Sequence, residues 1–594
     1  MKMNFKYLGF ALLALGIVSC ESDDMTETAA PEQTVALTAG DADFSNYVAL
    51  GASFTAGFTD GALFKAAQTN SFPNTLATQF AAAGGGDFNQ PMMTDNVGGL
   101  LYGGNRIANP RLYFNGSGPA VLEANPTTEV TNVVAGVFNN MGVPGAKSFH
   151  FLANGYGNLA GVPLGLANPY FARMASSANA SMLEDAVAQN PTFFTLSEFG
   201  GNDVLGYATS GGSGVDQTGN LDPTTYGGND ITDPNVFAAA LSATLDALTA
   251  NGAKGVVGNV PYVTSLPYFT TVPYAPLDPS NPDFGPQIPL LNETFGPLNQ
   301  VFDALGMPER KIIFSEDMAS AVVIMDESLP NIVDQLSAIL QSQGYPEAFA
   351  NLLATQFGQS RQANEADLMV LTSSTYIATV DTNYAASIYP AVYEGVYAQV
   401  YAQAYAGVYA AAYDIAFQAA IDLGFDEAQA AVFADEQATA AATLQAPVIA
   451  EQESPAIAQQ QAGQLSVNGI TKPLADQWVL TGTETQSVLN ATDAYNATID
   501  ALVTAKGLAR VDLKGILQNA SSGGVQFDGF TMSTDLVFGG LASLDGVHLT
   551  ARGYALMANE FLAAIDATYG SNFIEAGQRA RANDFPVNYA PELQ

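Results

Sequence analysis

The sequence predicts an α/β protein built on a parallel β-sheet. Short apolar runs that end at turn residues recur along the chain and are typical of buried strands. Helical patterns fill several of the intervals, such as the Ala/Leu spacing of residues 236–249. Buried strands that alternate with helices indicate a parallel sheet covered on both faces. The predicted strands are residues 47–50, 192–196, 255–260, 311–314, 368–371 and 509–513.

The composition supports a folded and strongly acidic protein. Of the 594 residues, 48% are hydrophobic, and 34 Phe and 25 Tyr supply a large buriable surface. This content excludes a disordered chain. The formal net charge of −39 argues against a nucleic-acid-binding protein, because such a surface repels a phosphate backbone.

The N-terminus predicts a secreted and lipid-anchored chain. Lys2 and Lys6 precede an apolar run at residues 8–18, which is too short to span a membrane and is typical of a signal peptide. Residues 17–20 resemble a bacterial lipobox, which implies that residues 1–19 are cleaved and Cys20 is acylated. The alternative is an unmodified thiol inside the signal. Residues 20–42 are expected to form a flexible tether, and the acidic residues at its start resemble a signal for display at the cell surface.

An Ala- and Tyr-rich segment at residues 376–465 predicts a helical insertion. Its aromatic residues recur every four positions, so they form a row that winds around a helix, and Gly424 marks a break before a second helix. One interpretation is a hairpin that packs on itself or on the sheet. The other is a lid over a cleft, or an aromatic surface for a lipid or glycan. The aromatic row consists of Tyr389, Tyr393, Tyr397, Tyr401, Tyr405, Tyr409, Tyr413 and Phe417.

Three polar segments carry residues suited to chemistry. Ser53 follows the first predicted strand, and Asn202 follows the strand at 192–196. Ligands of open α/β sheets bind at the carboxyl ends of the strands, so these two segments belong at one edge. Asp545 precedes His548 by three residues, a spacing at which a tight turn lets the carboxylate orient the imidazole.

Together these residue types indicate ester cleavage. A serine hydroxyl becomes nucleophilic when a base removes its proton, and imidazole titrates near neutrality. The amide of Asn202 can donate to a developing oxyanion. Each residue alone also has a structural explanation, with Ser53 as a helix cap, Asn202 in a turn and His548 as a hydrogen-bonded turn residue.

The segments resemble the SGNH (GDSL) hydrolase family, and most closely its larger lipoprotein members among the Bacteroidetes lipolytic acylhydrolases. Residues 200–203 match the G-x-N-D block, residues 545–548 match the D-x-x-H block, and residues 140–146 best match the glycine block. The resemblance implies a flavodoxin-like three-layer sandwich with a parallel sheet. The implied hydrolase domain comprises residues 43–375 and 466–575, and residues 576–594 form a C-terminal tail.

The resemblance also implies site roles and an activity. Ala52 and Phe54 replace the Asp and Leu of the family name, but neither position takes part in the family's chemistry. The implied activity is that of an esterase or lipase on an ester or lipid substrate. The implied catalytic residues are Ser53 as nucleophile, His548 as base and Asp545 as its orienting partner, with an oxyanion hole of Ser53, Gly145 (or, as a second choice, Gly142) and Asn202.

No metal is expected, because no Cys/His or His/His pair has the spacing of zinc ligands. The implied serine mechanism requires no cofactor. His150 lies in an apolar setting and is interpreted as structural. Two other functions remain open at this point. One is a carbohydrate O-acetylesterase, and the other is a non-catalytic surface-binding lipoprotein. The sequence does not identify a protein partner, and the expected partners are an ester or lipid substrate and the membrane that holds the lipid anchor.

Overall fold

A five-stranded parallel sheet forms the centre of the fold. In the computed structural model, which describes residues 35–594, its strands are β1 Tyr47–Gly51, β2 Asn140–Gly142, β3 Phe193–Leu196, β4 Lys254–Gly258 and β5 Ala509–Val511. They lie in the order β2–β1–β3–β4–β5, and each neighbouring pair is parallel. The prediction of an α/β protein with a parallel sheet is confirmed. Cys20 and the predicted signal peptide lie outside the described residues.

Helices account for much of the rest of residues 37–594, which form one compact unit. The α-helices of the described residues are α1 Ser53–Ala56, α2 Lys65–Thr69, α3 Phe72–Ala81, α4 Pro169–Ala172, α5 Met182–Val187, α6 Asn202–Thr209, α7 Pro234–Thr249, α8 Pro267–Thr270, α9 Ile288–Ala304, α10 Val333–Ser342, α11 Glu347–Phe357, α12 Thr382–Asp422, α13 Glu427–Gln464, α14 Gly482–Lys506, α15 Leu513–Ser522 and α16 Ala551–Tyr569. None of these helices is both long and apolar enough to cross a membrane.

Both faces of the sheet are buried by helices. On one face, Ala49, Phe193 and Val256 pack against aromatic and aliphatic residues of α3 and α16. On the other face, Val48 and Phe194 pack in a core shared with α5, α7 and α14. Because successive strand residues point to opposite faces, strands covered on both sides are mostly apolar. All four residues of β3 (FFTL) are buried, and its one polar side chain, Thr195, is hydrogen-bonded to the hydroxyl of Tyr47.

Two predicted strands are not part of this sheet. Residues 311–314 form no strand, because side-chain amides of α9 replace a neighbouring strand: Asn299 pairs with both backbone groups of Ile312, and Asn292 with both of Phe314, at 2.8–2.9 Å. Residues 368–371 contribute only Leu368–Met369, which pairs with Val479–Leu480. The other antiparallel pairs are Leu100–Tyr102 with Asn105–Ala108, Leu112–Phe114 with Pro119–Val121, Val323–Met325 with Ser360–Gln362, and Val525–Phe527 with Phe530–Met532.

Helices α12 and α13 form a long antiparallel hairpin between β4 and β5. Their 41 and 38 residues correspond to a length of about 60 Å. Consecutive rings of the aromatic row on α12 are 6.0–6.5 Å apart. On α13, small residues at every fourth position from Ala430 to Ala462 are fully buried. The two helices therefore approach each other closely along these small side chains.

Candidate active site

The predicted site segments meet at the carboxyl edge of the sheet. The register places the last residues of β1, β2 and β3 beside one another. Ser53 follows β1, Gly145 follows β2 and Asn202 follows β3. In a sheet with this strand order the winding reverses between β1 and β3, and ligands bind in the crevice formed there. Ser53 and Asn202 flank this crevice.

A direct hydrogen bond joins His548 to Asp545. The distance from Nδ1 of His548 to Oδ2 of Asp545 is 2.8 Å, and both side chains are only 13% exposed. The other carboxylate oxygen accepts from Ser543 Oγ and from the N–H groups of Val547 and His548 at 2.8–3.0 Å. Burial alone would raise the pKa of Asp545, but the imidazole and these hydrogen bonds hold it well below its ordinary value. The ionised carboxylate orients Nδ1 as a donor and leaves Nε2 to accept a proton.

The turn that carries this pair packs against the segment that follows Ser53. The N–H of Gly61 donates to Oδ2 of the same carboxylate at 2.8 Å, across a chain separation of 484 residues. The imidazole of His548 lies 4.6 Å from the ring of Phe58 and 5.7 Å from that of Phe54, measured between ring centroids. The fold thus brings the segment that follows Ser53 into contact with the turn of Asp545 and His548.

Ser53 is the first residue of α1 and is 8% exposed. The N-cap position belongs to Ala52, so the Ser53 hydroxyl is not a helix cap. Within the described residues, Oγ of Ser53 makes no hydrogen bond, and therefore none to His548. Catalytic hydrogen bonds often tighten only when the substrate binds. The imidazole is held against the side chain of the next residue, Phe54.

Sequence analysis missed a carboxylate beside the serine. Oε2 of Glu198 accepts the N–H of Phe54 at 2.6 Å, while Oε1 accepts the N–H and Oγ1 of Thr55 at 3.0 and 2.9 Å. Burial raises the pKa of Glu198, and these hydrogen bonds oppose the rise. A signal for this residue exists in the sequence, because Glu198 is the only acid in the otherwise apolar or small stretch of residues 193–201.

The glycine block offers two candidates for an oxyanion donor. The N–H of Gly142 already donates to Oδ1 of Asn140 at 2.9 Å. A Cβ at Gly142 would lie 2.2 Å from the backbone nitrogen of Ala56, so close packing explains this glycine. Gly145 is exposed and has a φ of +82°. Its N–H has no acceptor within the described residues, which favours Gly145 over Gly142.

The loop that contains Gly145 is fixed by the start of α6. The side-chain amide of Asn202 donates to the carbonyl oxygen of Ala146 at 3.0 Å. The buried carboxylate of Asp203 accepts the N–H and Oγ of Ser148 at 2.8 and 2.6 Å. Asn202 and the glycine loop are therefore held as one unit.

An apolar cavity of about 880 Å³, including its open mouth, adjoins these groups. Ser53, Glu198 and Asn202 are its polar side chains. No residue of the segment 376–465 lines it. The apolar side chains that line it include Leu205, Pro261, Val263, Leu266, Leu513, Ile516, Leu517, Leu541, Val547, Leu549, Leu556 and Met557.

Asp60 is a buried carboxyl group that bonds to the turn carrying Asp545 and His548. Its Oδ1 accepts the N–H of Leu544 at 3.0 Å, and its own N–H donates to Oγ of Ser543 at 3.1 Å. Its Oδ2 is buried and has no hydrogen-bond partner in the described part of the chain. Burial, with a smaller contribution from the charge of Asp545, raises the pKa of Asp60 to about 7.

The second histidine is engaged in packing. Nδ1 of His150 accepts the N–H of Lys147 at 3.0 Å, and its ring stacks on Tyr156 with centroids 4.2 Å apart. Burial lowers the pKa of His150 to about 3. These contacts agree with a structural role.

Residues 35–594 contain no group of three or more His, Cys, Asp or Glu side chains suited to a metal ion. Comparisons with protein-family models, curated proteins and solved structures found no match for the chain. The function is therefore inferred from the site's own residues and geometry.

Proposed function

We propose that this protein is a serine-dependent carboxylic ester hydrolase of the SGNH type. The observation that carries the proposal is the Asp545–His548 pair, packed against the turn that follows Ser53 at the carboxyl edge of the sheet. The strand order, with helices on both faces, is compatible with the flavodoxin-like three-layer sandwich of that family.

In the proposed reaction, Oγ of Ser53 attacks the ester carbonyl carbon while Nε2 of His548 takes the hydroxyl proton. The tetrahedral intermediate collapses, and His548 returns the proton to the leaving alcohol. A water molecule then cleaves the acyl-enzyme by the same sequence. The imidazolium that forms in each half-reaction is stabilised by Asp545, whose pKa is held low.

Three donors are proposed to stabilise the oxyanion: the N–H groups of Ser53 and Gly145 and the amide of Asn202. The N–H groups of the two residues after Ser53 are already bonded to Glu198, which leaves the N–H of Ser53 as the donor of that turn. Preorganised donors of this kind are each worth about 3–4 kcal/mol of barrier lowering.

The cavity favours acyl chains longer than acetate. Each buried methylene contributes about 0.8 kcal/mol, which is about fourfold in kcat/KM. A carbohydrate O-acetylesterase has no need of an apolar cavity beside its serine. We therefore place the esterase or lipase activity ahead of deacetylation, and we propose that Cys20 anchors the enzyme at the outer membrane or cell surface.

The test is a p-nitrophenyl ester panel from acetate to palmitate, with Ser53→Ala as control. We expect kcat/KM to rise from acetate to hexanoate by up to about 200-fold, because four methylenes enter the cavity. We also expect a fluorophosphonate probe to label the wild type and not the folded Ser53→Ala variant. Labelling without serine dependence, or no turnover of any ester, would contradict the proposal and favour the binding lipoprotein.

A further inference from the structure

The carboxylate of Glu198 is hydrogen-bonded to the helix start that carries Ser53, the proposed nucleophile. Its two oxygens accept three hydrogen bonds from Phe54 and Thr55, the second and third residues of α1, at 2.6–3.0 Å. The side chain spans from the end of β3 to the end of β1. It is 8% exposed and lines the cavity next to Ser53.

The backbone of Glu198 adopts an unusual conformation at this contact. Its φ of +55° lies in the left-handed region, which is uncommon for a residue other than glycine. Such a conformation costs of the order of the energy of a hydrogen bond and persists only where the surroundings enforce it. The donors that face the carboxylate on α1 are backbone N–H groups and a hydroxyl, so the contact is directional rather than a simple ion pair.

The same residue is connected to the proposed oxyanion donors. Asn202 lies four residues after Glu198, at the start of α6, and its amide is bonded to the loop of Gly145. A rigid link between β1 and the end of β3 therefore sets the distance between Ser53 and Asn202. If the link is lost, α1 can shift relative to the oxyanion donors.

We propose that Glu198 is a positioning residue that fixes the Ser53 turn relative to Asn202. This inference rests on the proposed esterase function. Misplacement of a reacting group by about 1 Å can cost 100-fold in rate. The contribution falls on kcat rather than on KM, because the acyl chain is held by the apolar part of the cavity.

The test uses Glu198→Gln in the full chain. The glutamine amide keeps one acceptor but turns its NH₂ toward an N–H donor of α1. We expect kcat for a p-nitrophenyl ester to fall about 100-fold with KM changed less than threefold, and fluorophosphonate labelling to slow in proportion. A milder variant, Thr55→Val, removes one donor without changing shape. It should lower kcat about tenfold in the wild type and add little in the Glu198→Gln background, since both act through one link.

Glu484→Gln is the matched control, because Glu484 also accepts the backbone N–H of a helix start, Thr481 of the α14 cap, and does not line the cavity. It should leave kcat unchanged. Retention of kcat within threefold in both Glu198→Gln and Thr55→Val would overturn the proposal.

Hydrogen exchange of the 53–56 amides separates this inference from the esterase function. If the wild type cleaves no ester, faster exchange of these amides in Glu198→Gln still supports the positioning role. Unchanged exchange overturns it, whatever the activity.

Discussion

The hydrogen bonds of Asp545 allow a sharp prediction for Asp545→Asn. An asparagine has one acceptor oxygen and one NH₂ group in place of two carboxylate oxygens. Three donors converge on Oδ1, so the amide oxygen is expected to stay on that side. The NH₂ group then faces Nδ1 of His548 and the N–H of Gly61, which both donate to Oδ2 in the wild type.

This geometry forces the wrong tautomer. Nδ1 must become an acceptor toward the new NH₂ group, which moves the ring proton to Nε2. An imidazole protonated at Nε2 cannot take the proton of Ser53. The same replacement lowers kcat about 10⁴-fold in Ser–His–Asp triads, which corresponds to about 5 kcal/mol of barrier. Separately, the N–H of Gly61 would face the NH₂ group and lose its acceptor, which should lower the free energy of unfolding by roughly 1–3 kcal/mol.

The assay is kcat on a p-nitrophenyl ester of a length that the wild type prefers, together with thermal unfolding. Asp566→Asn is the matched control. Asp566 also accepts two backbone N–H groups, from Phe573 and Ile574 at 2.9 Å, and it lies outside the cavity lining. It should lose stability and keep kcat within twofold. A folded Asp545→Asn variant with kcat within tenfold of the wild type would refute the tautomer reasoning.

Two further predictions concern stability. The folded state keeps the proton of Asp60 up to about pH 7, whereas an unfolded aspartate loses it near pH 4. The free energy of unfolding should therefore fall by up to about 4 kcal/mol from pH 4 to pH 7. Asp60→Asn should flatten this decline in thermal melts, and an unchanged slope would count against a raised pKa. In the hairpin, Ala442 is fully buried and Ala440 is exposed. Ala442→Leu should lower the free energy of unfolding by about 1–3 kcal/mol through overpacking and speed hydrogen exchange in α12 and α13. Ala440→Leu, the control, should do neither, and equal effects of the two variants would contradict the close packing.

The sequence predicted four of the five sheet strands, because buried strands of a parallel sheet are apolar on both faces. It could not predict β2 as a strand. Asn140–Gly142 has three residues, of which only Met141 is a large apolar one. The segment 311–314 shows the converse. Its composition suits a strand, but the amides of Asn292 and Asn299 satisfy its backbone, and no local pattern distinguishes an amide partner from a neighbouring strand.

In the site, the Asp545–His548 contact could be predicted because it is local, with donor and acceptor three positions apart in the sequence. The contacts of Glu198 and Asp60, by contrast, are not local in the sequence. Each has a positive φ, and each bonds to a partner 143 or more residues away. A pairing between distant segments depends on the topology of the sheet, which the sequence predicts only in outline.

The position of the α12–α13 hairpin in the chain explains why it need not be part of the site. It enters between β4 and β5, yet these strands are adjacent, and Asn259 and Asp512 are hydrogen-bonded at 2.7 Å across 253 residues. The hairpin buries its small residues from Ala430 to Ala462 within itself and contributes nothing to the cavity lining. The cavity lining does not support the lid interpretation. Packing within the hairpin accounts for the half-buried rings at the start of the aromatic row, and the aromatic surface for a lipid or glycan stays a prediction. Helix α15, which directly follows β5, lines one wall of the cavity. The pairing of β4 with β5, rather than the insertion, positions this wall.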